Sequence, residues 1–170
     1  MKTFEELKEE LLIRAKNAGA CQAGYAMGLR SNTKSDLLKA ITENWFWVLR
    51  SAKIVDAKYL EDNFTEEELS EAGIYIRNTH EVRTVSFACG SATVKAYDSA
   101  TVKACDSATV EAYDSATVKA YGSATVEAYD NSYVEDCTGN VRPQSGYAIV
   151  KDYHSHKIYI KKGNFEIIEV

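Results

Sequence analysis

Ser91-Ala-Thr-Val-Lys-Ala-Tyr-Asp98 is followed without a break by Ser99-Ala-Thr-Val-Lys-Ala-Cys-Asp106, Ser107-Ala-Thr-Val-Glu-Ala-Tyr-Asp114, Ser115-Ala-Thr-Val-Lys-Ala-Tyr-Gly122 and Ser123-Ala-Thr-Val-Glu-Ala-Tyr-Asp130. Within each unit the small and aliphatic residues alternate with larger polar ones, so Ala92, Val94 and Ala96 share one face of an extended chain while Thr93, Lys95 and Tyr97 share the other. Burying the opposite face would desolvate the Lys/Glu column, so Ala-Val-Ala points inward. A helix is excluded because eight residues are not a multiple of 3.6, and because every unit carries β-branched Thr-Val and a turn pair of Asp-Ser or Gly-Ser.

A fixed period of this kind marks a solenoid in which each coil buries its inner face against its neighbours. Two units per coil give a thin two-sided coil and three give a triangular prism. One Val flanked by two Ala fills only a thin interior at the normal packing density of about 0.74, which favours two units, or 16 residues, per coil. Stacking at that period puts Tyr97, Tyr113 and Tyr129 in one column and Cys89, Cys105, Tyr121 and Cys137 in the other. Lys103 then lies near Lys119, and Glu111 near Glu127, at about 4.8 Å. Ser132 and Asp136 occupy inward slots, so the solenoid is expected to stop or open there, with an atypical terminal coil.

Around this core the sequence reads as an α+β chain. A helical head is expected over 1–80, the octapeptide-repeat solenoid over 81–140 and a strand and hairpin cap over 141–170. In the head, residues 3–18 form an amphipathic helix with Phe4, Leu7, Leu11, Leu12 and Ala15 on one stripe, ending at Gly19. Ala20 to Gly28 reads as a small-residue connection. Ser35-Asp36 then caps a helix through Ala52 that buries Leu37, Leu38, Ile41, Trp45, Val48 and Leu49. A short helix is expected at 57–62, and another opens at Thr65 with Glu68 in a capping box and closes at Gly73. Val82–Cys89 starts the solenoid. Past Pro143 and Gly146, Tyr147–Val150 and two strands joined at Gly163-Asn164 supply the cap.

With 45% hydrophobic and 26% charged residues the composition is that of an ordinary soluble protein. No apolar run approaches the roughly 18 residues of a membrane span, and the charged N-terminus is unlike a secretory signal, so a cytoplasmic location is expected. Cys21, Cys89, Cys105 and Cys137 are too sparse for a disulfide framework and read as free thiols, although stacked coils bring Cys89 and Cys105 into bridging range under oxidation. The net charge of -5 is concentrated in 81–140, with four basic and nine acidic residues, against -2 in 1–80 and +2 in 141–170. A basic footprint for direct nucleic-acid binding is missing.

Candidates for chemistry are few. His154-Ser-His156 has the spacing of a chelating pair but no third ligand, with Asp152 and His80 the only neighbours in prospect, so an exposed turn is the better reading and no metal is expected. Cys21 beside Gly24 reads as packing rather than as a nucleophile. Asp98, Asp106, Asp114 and Asp130 are turn residues; the glycine-rich pattern of a calcium roll is missing, and Lys, Glu and Tyr interrupt the flat Thr array an ice-binding face needs. Phosphate-loop and nucleophile-elbow motifs are missing too, so the chain is expected not to be an enzyme and to carry no cofactor.

Ala20-Cys21-x-x-Gly24, the aromatic helix Glu43-Asn-Trp45-Phe46-Trp47-Val-Leu49, the Ser-Ala-Thr-Val-x-Ala-Tyr-Asp repeats and an Ile-Tyr hairpin together resemble uncharacterised proteins of bacteriophages and mobile elements of gut bacteria. The resemblance covers most of the chain and departs from the commoner Gly-Asp-Trp at Glu43-Asn44-Trp45. It implies a bacterial or phage-infected cell and brings no activity, substrate or catalytic residue with it. The expected function is a non-catalytic protein-binding module, in that setting an inhibitor of a defence or DNA-handling enzyme, and the acidity of 81–140 is read as imitating the phosphate rows of DNA. The contact residues expected for such a protein partner are Trp45, Trp47, Tyr97, Tyr113, Tyr129, Asp98, Asp114, Glu111 and Glu127. The alternatives are a self-assembling scaffold, which would make a homo-oligomer, and an enzyme with a pocket around Cys21, Trp45 or His154.

Overall fold

The computed structural model describes residues 2–144 and 147–160. The chain divides into two compact units, Met1–Ile76 and Arg77–Val170.

The first unit is helical. α1 (Phe4–Asn17) opens on a capping box in which Thr3 and Glu6 satisfy each other's backbone N–H, and it buries Leu7 and Leu11. The stretch read as a small-residue connection is in fact a helix, α2 (Gln22–Arg30), whose N-cap is the Cys21 sulfur accepting from the Gly24 N–H at 3.4 Å. Glycine lets α2 lie close to its neighbours. A Cβ on Gly28 would meet Leu12 at 3.3 Å and one on Gly24 would meet the Asn44 side chain at 3.3 Å. The helix expected to run unbroken to Ala52 is also interrupted. α3 (Lys34–Glu43) is capped by Thr33 with Asp36 and not by Ser35-Asp36. It ends at Asn44, whose side-chain amide donates back to the Ala40 carbonyl at 2.9 Å. The chain then widens into one π-helical turn, Trp47–Ser51, with the Ala52 N–H reaching the Trp47 carbonyl five residues back. The apolar set expected from this stretch is buried all the same. α4 (Ala57–Asn63), α5 (Glu66–Glu71) with its Thr65/Glu68 capping box, Gly73 at φ +70° and a short strand β1 (Ile74–Tyr75) complete the unit.

The second unit is a two-sided β-solenoid. Its strands are β2 (Thr79–Val82), β3 (Val85–Ala88), β4 (Thr93–Ala96), β5 (Thr101–Ala104), β6 (Thr109–Ala112), β7 (Thr117–Ala120), β8 (Thr125–Ala128), β9 (Tyr133–Asp136), β10 (Arg142–Pro143), β11 (Ile149–Asp152) and β12 (Lys157–Ile160). From β2 to β11 odd and even strands alternate between two sheets, β3-β5-β7-β9-β11 on one side, where β12 adds to β11, and β2-β4-β6-β8-β10 on the other. Thr101 pairs with Thr117 and Thr109 with Thr125, which is the 16-residue coil read from the sequence. Ala92, Val94, Ala96 and their counterparts through Ala120 are fully buried. Each buried Val contributes about 1.5–3 kcal/mol, and the backbone at the corners is bonded from coil to coil as the strands are, so no coil is stable alone.

The turn residues explain the Asp/Gly position of the repeat. Asp98, Asp106, Asp114 and Asp130 have φ of +57°, +55°, +53° and +51°, and Gly122 has +70°. Each begins the centre of a turn closed by a bond such as Ala100 N–H to the Tyr97 carbonyl. Only Gly, Asn and Asp occupy this left-handed region at low cost.

The solenoid does not stop at Ser132 and Asp136. Both are buried, and β9 pairs in parallel with β7 before it and β11 after it. Asp136 is accommodated because its carboxylate accepts from the N–H groups of Thr138, Gly139 and Val141 and from the Thr138 hydroxyl. Asp152 repeats the device one coil later with His154 and Ser155. A buried carboxylate that saturates a turn is tolerated where an unpartnered one is not. Parallel stacking ends when β12 turns back antiparallel on β11 through Tyr153–His156. The Gly163-Asn164 hairpin expected from the sequence lies outside the described residues.

Candidate functional site

On the β2-β4-β6-β8 side the repeat builds a ladder. Tyr97, Tyr113 and Tyr129 stack face to face with ring centroids 5.1 and 5.0 Å apart and planes within 9° and 8°. The coil repeat imposes this spacing, and the offset that makes stacking favourable comes with it. The Tyr113 hydroxyl donates to Glu111 and the Tyr129 hydroxyl to Glu127, each at 2.7 Å. Glu111 also pairs with Lys95 at 3.1 Å. The Tyr113 hydroxyl, then Lys95, hold the Glu111 carboxyl below the usual carboxylate range. The reciprocal bonds raise Tyr113, Tyr129 and Lys95 above their ordinary values.

Beside the rings runs a column of carboxylates. Asp114 accepts from the Asp98 N–H at 2.9 Å and Asp130 from the Asp114 N–H at 3.2 Å, so each carboxylate braces the coil before it. The first rung already holds a cation: Arg83 sits 5.3 Å over the Tyr97 ring and bonds Asp98 at 3.0 Å. Among the described residues no cation pairs with Asp114 or Asp130. The resulting face is regular, aromatic and anionic. Repulsion between stacked carboxylates is offset by the backbone N–H that Asp114 and Asp130 each accept and by Arg83 at Asp98.

The structure brings together seven of the nine residues singled out in the sequence: Tyr97, Tyr113, Tyr129, Asp98, Asp114, Glu111 and Glu127. Trp45 and Trp47 lie elsewhere, in the helical unit. Trp45 is core, 1% exposed, and offers a partner nothing as the unit stands. Trp47 lines an apolar cavity of about 70 Å³ together with Leu12, Tyr25, Gly28 and Asn44. Asp130, read from the sequence as a turn residue and not as a contact residue, belongs to the column, and Arg83, not singled out there, is its cation. The 16-residue spacing signals the first; nothing local signals the second, because Arg83 precedes the repeat.

Other candidates are placed as follows. The stacked neighbours Lys103 and Lys119 are in register as expected, but Lys119 pairs with Glu135 and Lys103 lies over Phe87 at 5.2 Å. His154 and His156 sit in the turn before β12, His156 at φ +56°, and among the described residues no group of three or more His, Cys, Asp and Glu gathers. Cys21 is an exposed helix cap. Among the described residues no helix is long and apolar enough to cross a membrane. Compared with known proteins, the chain matches no family model, no curated protein and no solved structure.

Proposed function

We propose that this protein is a non-catalytic binding module whose Tyr97/Tyr113/Tyr129 and Asp98/Asp114/Asp130 ladder engages a cationic α-helix of a protein partner. The observation that carries the reading is the seat of Arg83: one guanidinium stacks on the ladder's first ring and pairs with its first carboxylate, while the next two carboxylates face solvent. Pitch selects the partner's conformation. The rungs repeat at 5.1 and 5.0 Å. A helix advances about 5.4 Å per turn, so side chains at i, i+4 and i+7 follow the rungs closely. Same-face residues of an extended strand are about 6.6 Å apart and lose register after one rung. Direct nucleic-acid binding is disfavoured by the sign of the charge.

In a bacterial or phage-infected cytoplasm, the setting suggested by the resemblance, such helices are the nucleic-acid-contacting elements of defence and DNA-handling enzymes, and the bound module acts as an inhibitor. Self-assembly through the solenoid end fits less well. Among the described residues the even-numbered sheet finishes at β10, where Pro143 has no N–H to offer an added strand.

The test is titration of the protein with two helical peptides of identical composition, one with arginines at i, i+4 and i+7 and one with their spacing scrambled. The spaced peptide is expected to bind at least about fivefold tighter at low salt, to weaken as salt rises, and to lose that preference against Asp114→Asn/Asp130→Asn. Equal binding of the two peptides would remove the proposal.

A further inference from the structure

We infer that Cys89 and Cys105 are a redox-addressable pair that forms a disulfide between consecutive coils, independently of the binding role proposed above. Ala88 and Ala104 are register partners in the parallel strands β3 and β5, and the Cys105 N–H donates to the Ala88 carbonyl at 2.9 Å, so the two cysteines lie side by side, one coil step apart. That step is about 4.8 Å, inside the Cα separation of about 4.4–6.8 Å that a disulfide spans. Neither cysteine is in a disulfide and both are fully buried, the Cys105 thiol donating to the Asp106 carboxylate at 3.9 Å. The same column makes the pairing selective: the next position is Tyr121, which separates Cys105 from Cys137 and shares a hydrogen bond with the Cys137 thiol. Cys21 belongs to the helical unit.

The chemistry is exchange with a small aliphatic disulfide. Opening of the corner at Gly90 or Asp106 exposes one thiol, which loses its proton. The thiolate attacks one sulfur of the reagent, whose S–S bond breaks and whose other half leaves as a thiolate and takes up a proton. The second cysteine, as thiolate, then attacks the protein-side sulfur of the mixed disulfide and expels the second small thiol. Two protein thiols are oxidised by two electrons and one small disulfide is reduced to two thiols. Burial makes the step slow to begin and, once the corner closes, resistant to reversal. The bond would tie the first full coil of the repeat to the strand that starts it.

The test uses the full chain and oxidised glutathione near pH 8, where thiolate is available. Two of the four cysteine thiols should be lost with a mass decrease of about 2 Da. Trypsin cleaves after Arg83, Lys95, Lys103 and Lys119, so peptides 84–95 and 104–119 should appear joined and separate on reduction. The urea midpoint should rise on oxidation in the wild type and stay put in Cys105→Ala. The inference is overturned if Cys89 and Cys105 remain fully alkylatable, if they end as mixed disulfides with glutathione, or if the bridges formed involve Cys21 or Cys137.

Discussion

Asp114 is the residue at which the repeat's logic is most open to measurement, because it performs two separable tasks. Its backbone is left-handed, φ +53°, and its carboxylate accepts the Asp98 N–H at 2.9 Å. Replacement by Ala removes both. The left-handed conformation costs an ordinary residue about 1 kcal/mol, and the lost bond to a charged acceptor costs about 1 kcal/mol at this exposed site, so Asp114→Ala should destabilise by about 2 kcal/mol. Asp114→Gly keeps the conformation, loses the bond and adds some unfolded-state entropy, for about 1 kcal/mol; Gly122 shows that the repeat accepts such a corner. Asp114→Asn keeps the conformation and an acceptor oxygen while removing one charge from a column with Asp98 and Asp130. Each neighbouring repulsion is at most roughly 0.9 kcal/mol at one coil step in water before screening, so Asn should match or slightly exceed the wild type. Urea unfolding at neutral pH gives the ranking, and hydrogen exchange at the Asp98 amide reports the bond locally. If Ala and Gly prove equal, or Asn falls with Ala, the account of the Asp/Gly corner is wrong.

Two further outcomes follow from the same coils. Ser132 stands in a buried column with Ala100, Ala116 and Ala148, and among the described residues its hydroxyl has no partner, so Ser132→Ala should stabilise by about 1 kcal/mol in urea unfolding; a loss of stability would mean that the hydroxyl is satisfied. Tyr113 and Lys95 are raised above their ordinary values of 10.0 and 10.5, so what they contribute is complete below those values and is lost as pH rises past them. Glu111, held below 4.5, contributes above that value and loses its part as pH falls through its folded value. Tyr113→Phe should therefore flatten the alkaline fall in the urea midpoint and leave Glu111 its Lys95 partner, and an unchanged alkaline limb would refute the assignment.

The period, the inward face and the coil length were all legible in the chain itself. Alternation of Ala-Val-Ala with Thr-(Lys/Glu)-Tyr is a local property, and repetition multiplies it until no other packing buries the aliphatic residues without burying charge. The tyrosine column follows from that period alone. Tertiary structure decided what depends on a neighbour distant in sequence. Gly24 and Gly28 read as loop residues until Asn44 and Leu12 are seen to need their space. Asp136 reads as a stop until the turn after it supplies three N–H donors and a hydroxyl. Trp45 and Trp47, two residues apart, fall on opposite sides of a helical turn, and the packed unit decides that Trp45 is core while Trp47 lines the cavity. A pattern of apolar and polar residues specifies which face turns inward; whether a polar group there is satisfied, or a glycine crowded, is a matter of contacts that only the folded chain brings together.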